Sequence, residues 1–92
     1  MKAIYKYTLS PDETTVQLPK GAKLLSAGYQ MDGHQVEVRL WALVDTEAPL
    51  EAREIFVFGT GQFVPQALVD GLQLLDTVNI HPIGIVLHIF YR

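Results

Sequence analysis

The sequence contains no cysteine. Disulfides, thiolate metal sites and a cysteine nucleophile are therefore excluded. Positive charge is also scarce: seven Lys and Arg stand against ten Asp and Glu, a net charge of −3. The cations are scattered along the chain, and no basic cluster forms of the kind that duplex nucleic acid requires. A small anion needs only two or three local cations, so the composition leaves that class of ligand open. No apolar run approaches the roughly 20 residues of a membrane-spanning helix. The longest run, Ile83 to Tyr91, is strand-like in length and is interrupted by His88. The opening residues, Met1 to Lys6, lack the apolar core of a secretion signal. Solubility and a cytoplasmic location are the expectation.

What the chain has in abundance is apolar side chains. They make up 49% of its 92 residues, and mean hydropathy is +0.19. A domain this small buries only about 60–65% of the surface its unfolded chain exposes. Residues 1–92 therefore read as one β-rich domain with more apolar surface than it can hide. Contact with a second copy, a homo-oligomer, is the expected outlet for the surplus.

Turn signals divide the chain into short strands. Ala3, Tyr5, Tyr7 and Leu9 alternate with Ile4, Lys6 and Thr8 until Ser10-Pro11-Asp12 breaks the pattern. Thr14, Val16 and Leu18 alternate until Pro19-Lys20-Gly21. Asp32-Gly33 suits the two central positions of a type I′ turn. A hairpin there pairs residues whose numbers sum to 65: Tyr29 with Val36, Ala27 with Val38 and Leu25 with Leu40 on a mostly apolar face. Gly28 with Glu37, Ser26 with Arg39 and Leu24 with Trp41 fall on the other face. Leu40 to Val44 is apolar on both faces, as is Ile55 to Phe58 within the strand from Arg53 to Phe58, and an acidic loop from Asp45 to Ala52 joins the two strands. A helix is predicted over Pro65 to Leu75, with Leu68, Leu72 and Leu75 on one side and Gly71 as a weak point. A strand from Leu74 to Ile80, a turn at His81-Pro82 and a last strand from Ile83 to Tyr91 complete the chain. The fold class is mainly β with about seven mostly antiparallel strands and one short helix. A small barrel or a curled sheet over the helix is expected, and a sandwich also fits the pattern.

Few residues suggest chemistry. Gly59-Thr60-Gly61 can present backbone N–H groups to an anion, or can simply end a strand. Arg39 and Trp41 share one hairpin face beside the small residues Ser26 and Gly28, which leave room for a planar group to stack. Arg and Trp are enriched among binding hot spots; alternatively, Trp41 is core and Arg39 pairs with Glu37 or Asp45. Arg53 is a further candidate contact. His34, His81 and His88 show no metal-ligand spacing, so no metal site is expected. Ser10 and Ser26 lie in no nucleophile elbow. Asp45 and Asp76 flank apolar strands and are the carboxylates to inspect for raised pKa values. No catalytic residues and no cofactor are assigned, and the protein is expected not to be an enzyme.

Several stretches carry a resemblance when taken in order. They are Met1 to Leu9, Leu18 to Ser26, Leu40 to Asp45, Gly59 to Gly61 and the closing His88-Ile89-Phe90-Tyr91. In this order they resemble a family of small proteins encoded by tailed phages and prophages and catalogued as a domain of unknown function. The sequence departs from it over Phe63 to Leu75, where a simpler loop rich in glycine and proline is expected. The resemblance implies a non-enzymatic binding protein, acting in the host cytoplasm, that sequesters a small anionic or nucleotide signal or inhibits a host defence protein. The alternative is a structural or assembly accessory that forms a homo-oligomer and has no small-molecule site.

Overall fold

The computed structural model describes residues 1–10, 14–81 and 83–92. The order of elements is β1 (Lys2–Leu9), β2 (Thr15–Pro19), β3 (Lys23–Asp32), β4 (Gln35–Asp45), β5 (Leu50–Gly59), α1 (Gln66–Val69), β6 (Gln73–Ile80) and β7 (Ile85–Tyr91). All pairings are antiparallel. They form two sheets, one of order β1-β4-β3 and one of order β2-β5-β7-β6. Neither a barrel nor a strongly curled sheet results. The sheets stay open and stack through the faces that alternation makes apolar, as a two-layer β-sandwich.

The core lies between the layers. Leu9, Leu40, Ala42 and Val44 from the first sheet meet Leu18, Ile55, Val78, Ile80 and Ile89 from the second in one continuous cluster. Leu18, Leu40, Val44 and Ile89 are its largest fully buried side chains. The second sheet also carries apolar residues on its outer face. Phe56 and Phe58 are buried there, and Phe58 meets Phe90 edge to face at 6.1 Å. The segment after β5 covers part of this face. Val64, Val69 and Leu72 gather at Phe90, and Leu68 lies near Phe56 and Phe58. These are the covers that strands apolar on both sides require.

Four sequence expectations need correction. The β3–β4 hairpin pairs residues whose numbers sum to 67, not 65: Tyr29 faces Val38, Gly28 faces Arg39 and Ser26 faces Trp41. The turn is Gly33-His34. Gly33 has φ +62 and no residue other than glycine has positive φ among the described residues, the pattern of a type II′ turn. The helix spans only Gln66–Val69, because Asp70 is already extended and Gly71 takes φ +79, turning the chain into β6. The acidic loop shortens as well, since Leu50, Glu51 and Ala52 are drawn into β5 by pairing with Pro19, Leu18 and Gln17. The last strand starts at Ile85 rather than Ile83, after a turn in which Gly84 has φ +67. Pro11, Asp12 and Pro82, expected in turns, lie outside the described residues.

The two layers are also stitched along one side. The register shifts between Leu24 and Ser26 in β3 and between Leu74 and Asp76 in β6, so each of these edge strands carries a bulge. Asp76 Oδ2 accepts a hydrogen bond from Ala27 N at 3.0 Å, and Asp76 Oδ1 accepts from Thr77 N at 2.9 Å. A bulge bends its strand and re-aims nearby groups. Here the bend lets a β6 carboxylate reach the backbone of β3.

Candidate functional site: a strand-end turn, two clefts and an exposed phenylalanine

The candidate residues divide between the layers. Arg39 and Trp41 sit on the outer face of the first sheet, while Arg53 and Gly59-Thr60-Gly61 belong to β5 and its exit. The structure does not bring the two groups into one site. Arg39 is paired with Glu37, and its Nη1 donates to Gln30 Oε1 at 2.6 Å. The space above Gly28 is taken by the Trp41 indole itself; a Cβ added to Gly28 would lie 3.4 Å from Trp41 Cζ3. Arg53 lies on the inward-facing side of β5, and its Nη1 donates to Ala22 O at 3.1 Å.

The glycine triplet is a strand exit closed by Gln62. Gly59 N donates to Gln62 Oε1 (3.0 Å), Gln62 N donates back to Gly59 O (3.0 Å), and Thr60 N donates to Val86 O (3.3 Å). Two of the amides that could cradle an anion are thus occupied within the chain. The turn also builds a constellation that no spacing rule reveals. Nε2 of His88 lies 2.7 Å from Thr60 Oγ1, and its Nδ1 lies 3.3 Å from Thr77 Oγ1. A neutral imidazole has one donor and one acceptor nitrogen, so the two hydroxyls satisfy it in complementary senses. The cross-strand pairing of His88 with Thr77 and Phe58 makes this contact, and only knowledge of the register could have anticipated it.

Two clefts flank Gln62. One, of about 450 Å³, opens between the layers at the hairpin end and is floored by Leu9, Val36, Val38, Val57 and Leu87. The other, of about 280 Å³, lies over Phe56 and Phe58 and is bordered by Pro65, Leu68 and Phe63. Phe63 is 95% exposed. An aromatic ring of that size normally buries 150–250 Å², yet this one projects from the rim of an aromatic groove.

Asp45 does not have the raised pKa expected of it. Glu47 N donates to its Oδ1 at 3.1 Å, and together with the nearby terminal ammonium and Lys2 this holds the carboxyl below its ordinary value. Asp76 serves the seam between β3 and β6. Among the described residues, no group of three or more His, Asp or Glu could hold a metal ion. No helix among them is long and apolar enough to cross a membrane.

The architecture and surface define a cysteine-free β-sandwich with one helical turn and an aromatic groove on the outer face of its larger sheet. The chain belongs to the family described as Domain of unknown function (DUF7352), whose family model matches residues 1–92. No curated protein and no solved structure gives a significant match.

Proposed function

We propose that this domain acts by binding a protein partner, without catalysis, and that Phe63 and the groove over Phe56 and Phe58 are the gripping surface. The observation that carries this reading is the 95% exposure of Phe63 at the rim of that groove. Buried aromatics at interface centres commonly dominate binding energy, and an aromatic left without intramolecular packing is available for that role. The state of the cations and amides favours a protein over a small anion. Arg39 is held by Glu37 and Gln30, Arg53 by Ala22 O, and Gly59 N and Thr60 N by Gln62 and Val86. Thr60 and His88 are within proton-transfer reach. A hydrolase would also need donors aimed at an oxyanion, and Thr60 N is already bonded.

The resemblance to tailed-phage and prophage proteins supplies the partner class: a host defence protein inhibited by occlusion. Inhibition of a host defence protein is tested in bacteria that carry a defence system, by measuring phage plating with the domain expressed. The wild type is expected to restore plating, Phe63→Ser to lose the effect and Arg39→Ala to keep it. Full restoration by Phe63→Ser, or none by the wild type in any defence background, sinks the proposal. A rise in melting temperature with millimolar cyclic nucleotide, abolished by Arg39→Ala, would instead favour sequestration of a small anionic signal.

A further inference from the structure

The four sheet edges are not equally protected. β2 has five residues and ends at Pro19, a short edge blunted by a residue without an N–H donor. β3 and β6 carry bulges and are joined by Asp76 and Ala27. β1 differs from all three: it runs eight residues without proline and pairs with β4 with no register shift.

The ladder fixes which of its backbone groups are free. Thr46 N donates to Met1 O at 2.9 Å, in line with the register that sets Ala3 against Val44 and Tyr5 against Ala42. Antiparallel pairs alternate between bonded and non-bonded. Ala3, Tyr5, Tyr7 and Leu9 therefore spend their N–H and C=O groups on β4. Those of Lys2, Ile4, Lys6 and Thr8 point away from it, and none has a backbone partner among the described residues. On the same strand, Ile4 is 63% and Tyr5 47% exposed.

We propose that this edge is the surface through which two copies of the chain associate, β1 against β1 in antiparallel sense, joining two three-stranded sheets into one of six strands. A two-fold interface must be self-complementary, and the distribution of charge selects the register. Centring the axis on Ile4 would set Lys2 opposite the partner's Lys6, placing like charges face to face, which is destabilising. Centring it on Tyr5 sets Lys6 opposite the partner's Ile4 and Lys2 opposite the partner's Thr8. Every outward-pointing N–H and C=O from Lys2 to Thr8 then meets a complement, and the two Tyr5 residues face each other as a non-hydrogen-bonded pair. Lys2 is also the ladder partner of Asp45 on β4, which offsets its charge. This assignment does not depend on the role given to Phe63, which lies in the segment between β5 and α1, away from β1.

The test uses two substitutions in the full chain. Lys6→Pro removes one N–H that points away from β4, so the β1–β4 ladder is retained, at an edge position where proline is tolerated. Tyr5→Cys places a single thiol at the proposed axis of a protein that has no other. Light scattering at about 100 μM should give twice the 10.3 kDa chain mass for the wild type. Lys6→Pro should give the monomer with an unchanged circular dichroism spectrum. Tyr5→Cys should form a disulfide-linked dimer on mild oxidation, and Ser10→Cys should form far less. A monomeric wild type overturns the proposal. So does a dimer in which Tyr5→Cys fails to cross-link and that Lys6→Pro, still folded, leaves intact.

Discussion

Glu54 shows how a single side chain ties the end of the chain to the sheet. Arg92 Nη2 and Nε donate to its two carboxylate oxygens at 2.9 and 3.2 Å, Arg92 N donates to Glu54 O, and the guanidinium lies 5.5 Å from the Phe56 ring centroid. The hydrogen bonds from Arg92 hold the Glu54 carboxyl below its ordinary value of 4.5. A carboxylate lowered by folding contributes its full stabilisation above the unfolded value, and that contribution is lost as pH falls through the lower folded value. The melting temperature should therefore decline below about pH 4.5, with a smaller decline in Glu54→Gln. Equal acid sensitivity in the two proteins would show that the pair contributes nothing. Residue types alone made Arg39 and Trp41 look available. The alternative, Arg39 paired with Glu37, is the one the structure takes, with Gln30 as a second acceptor and the Trp41 indole laid over Gly28. Phe63 stands between Gln62 and Val64 in a segment without periodic alternation, and such a segment does not distinguish an exposed ring from a buried one.

The β3–β4 hairpin marks how far an element can be read from sequence. Its two faces were legible, because Tyr29, Ala27, Val36 and Val38 alternate with Gln30, Gly28, Glu37 and Arg39. Its register was not. A slip of two residues keeps every side chain on its face, so sums of 65 and 67 satisfy the same alternation, and only turn geometry separates them. Asp-Gly and Gly-His are both competent two-residue loops; the structure uses the second, with Gly33 at φ +62. Gly33→Ala should cost about 1 kcal/mol, because an L side chain is strained at that φ, and urea denaturation would read it. A neutral outcome would mean that the turn relaxes to another type. The helix failed for a related reason. Leu68, Leu72 and Leu75 have helical spacing, but Gly71 in the left-handed region stops the helix after one turn, and Leu75 joins β6 at its bulge.

At the scale of the molecule, the number of strands and the apolar faces of β4 and β5 were legible, whereas the closure of the sheets was not. Two-faced apolar strands demand covers but do not say whether these come from a second sheet or from a closed barrel. Here each sheet covers the other, and the 62–72 segment covers part of the outer aromatic face. Leu40, fully buried at the centre of the first sheet, contacts a core drawn from both layers. Leu40→Ala should cost about 2–5 kcal/mol. Because the core is shared, fluorescence and circular dichroism should report one coincident transition; separate transitions would mean that the layers unfold independently. The stitched seam between β3 and β6 carries this further. None of the residues lining the larger cleft belongs to either of those strands. The sandwich resembles a bound book, with a spine where Asp76 holds Ala27 and a free margin where Leu9, Val36 and Leu87 part. A guest seated in that margin would read β1, β4, β5 and β7 and leave the spine untouched.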